Sequence, residues 1–269
     1  MVFFWVGLAA GLVVGGALAV LYARRMLERV RQAERRGLDS ERLAYLGSLA
    51  SGLAHTIKTP LSTLQINLQL LEEDVQKPGG GNPQRYSGRI AVLRREVRRL
   101  EEVLEDFFRY ARKHRLEVKL QSVNDVLEET VDFVTPEATR GGIRMTQGLA
   151  PDLAPSRVDA GRLKQAFLNI LINARQATSE GGEIIVRTRN VPGGIEIDFI
   201  DTGTGISDKD LPHIWDVYYS TKPTGTGLGL PTARKIVEEH GGSIRMDTQV
   251  GKGTCFTVFL PVQGTSDGV

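Results

Sequence analysis

A chain of 269 residues with 34 lysines and arginines against 32 aspartates and glutamates carries a net charge of +2, so it offers no polycationic face and nucleic acid is excluded as the expected partner. Its one cysteine, Cys255, cannot form an internal disulfide, which fits a cytoplasmic setting for the folded part. Cys255 is read as packing in the last strand rather than reacting.

Residues 2–22, VFFWVGLAAGLVVGGALAVLY, hold no charge, and at about 1.5 Å per residue a helix of that length spans roughly 30 Å, the bilayer core. One transmembrane helix in contact with membrane lipid is expected. The competing reading is a cleaved signal peptide with a small-residue site at Ala17 to Ala19, but a basic leader is absent and the basic residues follow instead. Arg24, Arg25, Arg29 and Arg31 place the next segment, a helical linker over residues 23–40, in the cytoplasm. The expected location is therefore the cell (inner) membrane, single-pass, with the C-terminal part cytoplasmic. Only Met1 precedes the span, so no extracytoplasmic sensor is expected, and input arrives through the bilayer at the basic segment 24–42 or through a partner protein. Gly7, Gly11, Gly15 and Ala19 recur every fourth residue; they either let two such helices approach closely or are common membrane-helix residues.

Residues 41–115 read as two long helices. In the first, Leu46, Ala50, Leu53, Ile57, Leu61, Leu64, Leu68 and Leu71 step by three or four and form an apolar seam. His55 lies about 200° around the helix from Leu53 and Ile57, off the seam and toward solvent. Pro60 removes the hydrogen bond to the carbonyl of Thr56 and should bend the helix beside His55. After the break KPGGGNP, a second seam runs through Ile90, Leu93, Val97, Leu100, Leu104, Phe107 and Ala111. Two helices of this length cannot bury both stripes alone, so a homodimer with a four-helix bundle is expected. The arginines from Arg94 to Arg99 alternate with Glu96, Glu101 and Glu102, which marks a solvated face. A hinge is expected over residues 110–121.

Residues 119–262 alternate strands and helices. A helix is expected over 126–134, then a helix capped by Asp159 that carries QAFLNILINARQA. There Phe167, Ile170, Leu171 and Ala174 keep helical spacing, while Asn169 and Asn173 share another face one turn apart. An amide oxygen is a suitable hard ligand for Mg²⁺, and Asn173 is the better candidate. Paired strands are expected over 183–189 and 195–201, and further strands over 242–246 and 254–260. Asp201 ends an alternating strand and is followed by Gly203 and Gly205 in DTGTGI. A carboxylate there can accept from an exocyclic amine, and glycines let backbone pass close to a flat ring. The stretch IWDVYYS leads to TKPTGTGLGL, where Gly225, Thr226, Gly227, Leu228 and Gly229 open into a helix over 230–240. Free N–H groups and the positive helix end suit phosphate there. Pro231 is tolerated in a first turn, and Lys222 is placed to reach a terminal phosphate. His114, His213 and His240 read as structural, and residues 263–269 as a disordered tail.

The asparagine helix, DTGTGI, the aromatic segment and GTGLGL, in that order, resemble the ATP-binding domain shared by gyrase, Hsp90, MutL and histidine kinases. Upstream, LGSLASGLAHTIKTPLSTLQINLQLL is similar to the phosphoacceptor box of histidine kinases through His55, Lys58, Thr59 and Pro60. The resemblance spans residues 41–262. It implies an α+β chain in which a transmembrane helix leads to a dimerising helical hairpin and a two-layer α/β sandwich. It also implies a sensor histidine kinase that moves the γ-phosphoryl group of ATP, with Mg²⁺, to His55 and then to the receiver domain of a response regulator. Where the family places Glu or Asp after the acceptor, this chain has Thr56, which can orient the imidazole but is no base near pH 7, so slow autophosphorylation is expected. Thr59 matches the residue with which the family positions water for dephosphorylating the regulator. The alternative is a non-catalytic or phosphatase-biased signalling scaffold that binds ATP, which Thr56 favours. A gyrase-like or serine-directed ATPase is a third reading, disfavoured because Asn169 stands where gyrase-like enzymes place a glutamate base.

Overall fold

A computed structural model describes residues 47, 50–54, 56–76, 83–112, 115–222 and 225–262. The expected membrane span, the linker over 23–40, His55, the KPGG break, His114 and the tail all lie outside the described residues. Among the described residues no helix is long and apolar enough to cross a membrane. The chain divides into two compact units, Met1–Gly52 and Leu53–Val269, and the elements below belong to the second.

The hairpin consists of α1, residues 56–76, and α2, Pro83–Ala111. The helix is assigned without interruption through Pro60. At the closed end the buried carboxylate of Asp74 accepts from Arg89 Nε at 3.0 Å, and Tyr86 donates its hydroxyl to the Asp74 carbonyl at 3.0 Å. These bonds fix which faces of the two helices meet, and the expected seams divide accordingly. Val103 and Tyr110, which lie beside the expected stripe, are buried, while Ile90, Val97 and Leu104 of that stripe are exposed, as are Leu61 and Leu68 on α1. The apolar stripes are wider than one partner helix can cover, so a single hairpin buries one edge and leaves the other open.

The remaining elements form the α/β part: β1 (Lys119–Gln121), α3 (Val123–Arg140), β2 (Arg144–Gly148), β3 (Ser156–Val158), α4 (Ala160–Ala177), β4 (Glu183–Val191), β5 (Gly194–Asp201), α5 (Gly229–Glu239), β6 (Ser243–Gln249) and β7 (Gly253–Pro261). The main sheet has the order β2-β4-β5-β7-β6, with β2 and β4 parallel and every other pair antiparallel; β1 and β3 form a separate ribbon. It is therefore a mixed sheet. Ile195, Ile197 and Phe199 of β5 alternate into a core shared with Phe167 and Ile170 of α4 and Ala233 and Ile236 of α5. The opposite face of β5 presents Glu196 and Asp198, paired with Arg189; Glu196 also pairs with Arg245 and Asp198 accepts from Thr257. One layer of helices on one face of the sheet is thus dictated by period-two alternation.

The clearest departures from expectation are the length of α3 and the presence of β2. Helix α3 begins earlier, with Ser122 accepting from Asp125 N, and continues through Pro136 to Arg140. A proline inside the last turns costs one hydrogen bond, which the burial of Val131, Val134 and Ala138 on the helix face outweighs. β2 pairs in parallel with β4 although its side chains are mostly exposed, so it leaves no alternating pattern to read.

Candidate functional site

Helix α4 starts where Asp159 turns the chain. Its Oδ1 accepts from Arg162 N at 3.1 Å and its Oδ2 from Glu117 N at 3.0 Å. Burial pushes this carboxyl up, but the Glu117 and Arg162 amides and the nearby Arg162 charge bring it below the ordinary range. His240 locks the neighbouring helix to the same point: its Nε2 accepts from Asp159 N at 3.0 Å, so Nδ1 carries the proton that meets the Ile236 carbonyl at 2.8 Å. The histidine read as structural is therefore a bridge between α4 and α5, followed by a stop in which Gly241 donates to the Glu238 carbonyl.

With α4 and α5 registered, residues from distant segments converge on one cavity of about 750 Å³. Asn169 and Asn173 come from α4, Asp201 from the end of β5, Gly205 from the following loop, and Lys222, Gly225, Thr226, Gly227 and Gly229 from the loop entering α5. Asp201 is 3% exposed, and its Oδ1 accepts from Gly203 N at 2.9 Å and Thr254 N at 3.3 Å. Burial raises its pKa, opposed by those two amides and by the positive charge of Lys222. Gly203 and Leu228 are not among the lining residues. Leu228 is buried beneath the loop, where its carbonyl receives Thr232 Oγ1 and Thr232 N.

Two glycines are required for a reason other than closeness to a ring. Gly205 has φ +68, and a Cβ there would lie 2.2 Å from the Gln249 carbonyl oxygen; Gly227 has φ +69, and a Cβ would meet the Tyr218 backbone at 2.4 Å. Both lie in the left-handed region, and both let loops pass one another at the cavity wall. Tyr218 itself has φ +68, with Tyr218 N donating to the Gly227 carbonyl at 3.1 Å. Its hydroxyl is buried without a hydrogen-bond partner, and burial, with Tyr110 nearby, pushes its pKa up to about 12. The aromatic segment anchors this loop: Trp215 stands edge-on to Phe256 with centroids 6.1 Å apart, Arg234 lies over its ring, and Tyr219 donates to Asp210 Oδ1 at 2.6 Å.

The candidate metal ligand is already engaged. Lys222 Nζ donates to Asn173 Oδ1 at 2.7 Å, to Gln176 Oε1 at 2.9 Å and to the Asn173 carbonyl at 3.4 Å. Desolvation lowers the Lys222 pKa, with Asp201 opposing. The Asn173 amide oxygen that meets this ammonium group is a hard neutral donor, and such a donor also suits Mg²⁺. Among the described residues no cluster of three or more His, Cys, Asp or Glu is placed to hold a metal.

The hairpin closes one side of the cavity with Glu102, Glu105, Asp106 and Arg109 of α2. Thr226 Oγ1 donates to Asp106 Oδ2 at 2.9 Å, and Lys235 Nζ reaches the Tyr110 carbonyl at 2.8 Å while lying over the Tyr110 ring. Sequence reasoning missed this acidic wall, Gln176 and Thr254. Gln176 was legible as the position three residues after Asn173 on one helix face; the other two follow from contacts 120 and 53 residues apart in sequence. On α1, Lys58 and Thr59 are exposed, and their carbonyls receive Ser62 Oγ and Thr63 Oγ1; Thr56 is half-buried.

Residues 158–264 match the family described as "Histidine kinase-, DNA gyrase B-, and HSP90-like ATPase", and residues 45–116 match the "His Kinase A (phospho-acceptor) domain". The chain is similar to the sensor histidine kinase ZraS of Klebsiella oxytoca, 34% identical over 258 residues, or 95% of this chain and 55% of that protein. It is also similar to sporulation kinase E of Bacillus subtilis (strain 168), 31% identical over 238 residues, or 88% of this chain and 31% of that one. The chain thus spans about half or less of the length of these curated relatives. Among solved structures, histidine kinase ThkA in complex with response regulator protein TrrA superposes with a TM-score of 0.67 at 23% identity, covering 82% of this chain and 63% of that one, a likeness of fold.

Proposed function

Because the chain belongs to the sensor histidine kinases of two-component systems, with both domain families matched in order, we propose that it binds ATP in the α4–α5 cavity, phosphorylates its own His55 and passes the phosphoryl group to a response-regulator aspartate. The observation that carries this reading is the convergence of Asn173, Asp201, Lys222 and the Gly225 to Gly229 loop on one cavity at the start of α5. Asp201, held by two amides, accepts from the adenine amine. The loop's N–H groups and the positive end of α5 receive phosphate oxygens. Asn173 would hold Mg²⁺, which when bound neutralises phosphate charge. Catalysis is then positioning and electrostatics.

His55 is the nucleophile, suited to the task because an imidazole with an ordinary pKa near 6.5 is mostly neutral at pH 7. Thr56 orients the ring without taking its proton, so water receives the proton and transfer is slow. Thr59 positions water for hydrolysing the regulator's aspartyl phosphate, which frees the carboxylate and releases inorganic phosphate. Residues 2–22 anchor the chain in the cell membrane, and two copies pair through the hairpin. ThkA is a kinase solved with a response regulator, which supports the same kind of partner here. Thr56 also keeps a second reading in play, a phosphatase-biased scaffold.

The test is incubation of the purified chain with Mg²⁺ and γ-labelled ATP beside His55→Ala and Thr56→Glu variants. Acid-labile, alkali-stable label is expected, absent in His55→Ala and rising by about 10²-fold or more in Thr56→Glu, since a positioned base is typically worth 10²–10⁴. ATP binding without label in either the wild type or Thr56→Glu transfers the assignment to the scaffold.

A further inference from the structure

The contacts of Lys222 raise a conflict within the site. Its ammonium group has three N–H donors and no acceptor capacity, and three oxygens take them: Asn173 Oδ1 at 2.7 Å, Gln176 Oε1 at 2.9 Å and the Asn173 carbonyl at 3.4 Å. Asn173 and Gln176 are three residues apart on α4, so both amides project from one face of a rigid helix. The lysine comes from the opposite wall, where Ser220 Oγ accepts from Lys222 N at 3.1 Å. In this arrangement Lys222 has no donor left for a phosphate. A divalent cation on Asn173 Oδ1 would sit at about 2.0–2.1 Å from the oxygen that the ammonium already holds. Two like charges cannot share it.

We infer that Lys222 is the resident cation of the Asn173–Gln176 amide pair, and that metal-bearing nucleotide must evict it, with Gln176 acting as the positioning residue that holds the lysine when no metal is present. The inference rests on the nucleotide reading above and goes beyond it, because it makes the metal and the lysine competitors rather than independent contributors. Metal-free nucleotide enters while Lys222 supplies the positive charge. Metal-bearing nucleotide takes Asn173 and releases the ammonium toward the phosphates.

The test compares ADP binding to the full chain in detergent micelles, by calorimetry, once in EDTA and once in excess MgCl₂, and reads the ratio of the two dissociation constants. ADP lacks the terminal phosphate, so a direct lysine contact with that group does not enter. In Lys222→Met, and in Lys222→Gln as a second neutral variant, metal-free ADP should bind more weakly while the metal-bearing form no longer has to displace a cation. The ratio should therefore rise by on the order of tenfold, the usual range for coupled binding. Gln176→Leu should leave Mg²⁺–ADP binding unchanged or tighter, because the lysine is held less firmly. A ratio unchanged or lowered in both Lys222 variants overturns the exchange, as does weakened Mg²⁺–ADP binding in Gln176→Leu, which would make Gln176 a direct ligand. Wild-type chain that binds ADP in neither condition would instead overturn the nucleotide reading.

Discussion

Asp201 shows how much one side chain carries at this site. It is buried, its Oδ1 is fixed by the Gly203 and Thr254 amides, and burial is the largest influence on its titration, pushing it above the ordinary carboxylate range. Asp201→Asn keeps the shape but replaces a charged acceptor, so ADP affinity should fall roughly ten- to hundredfold, the worth of a hydrogen bond to a charged group. Calorimetry at pH 7 measures it. Because the ionised form is the acceptor, wild-type affinity should decline as pH falls through a value above the usual 3.9, and this acid limb should be missing in Asp201→Asn. The identity of Asp201 as a site residue was legible from its place at a strand end before two glycines. Its anchoring by Thr254 was not, because that contact depends on the register of β5 with β7.

At the scale of elements, the site depends on how α4 and α5 are held together, and Asp159 with His240 forms that junction. Asp159→Ala removes the α4 cap and should cost about 1 kcal/mol, or roughly 3 °C in the midpoint of thermal unfolding. The folded-state pKa of Asp159 is depressed, so its contribution is present above the unfolded value near 3.9 and is lost as pH falls through the lower folded value. Stability curves of wild type and Asp159→Ala should therefore converge below about pH 4. The cap was readable because Asp before a periodic apolar run is a local signal. The histidine bridge was not, since His240 meets Asp159 across 81 residues. Helix α3 exceeded its expected length because a proline is a local stop signal, whereas the packing that carries the helix past it is tertiary.

On the scale of the whole molecule, the hairpin exposes a row of large apolar side chains, with Val97 at 46% and Leu68 at 49%. Covering them with a second copy is the proposed arrangement, and Val97→Glu with Leu68→Glu, which would bury unpaired charges in that interface, should convert the dimer to monomer by light scattering. Scattering that shows monomer in the wild type would remove the dimer from the proposal.

The residues 41–262 declared from sequence alone their family, their helix-then-sheet order and, around the cavity, Asn169, Asn173, Asp201, Gly205, Lys222 and the glycine loop entering α5, because caps, seams, alternating strands and glycine loops are local patterns with local physical causes. Tertiary structure alone decided that Lys222 sits on the candidate metal ligand, that α2 closes the cavity with Asp106 on Thr226, and which half of each helical seam is covered. Each of these is a pairing between segments far apart in the chain, and such pairings are selected by packing and charge compensation in the folded molecule, which no local spacing encodes.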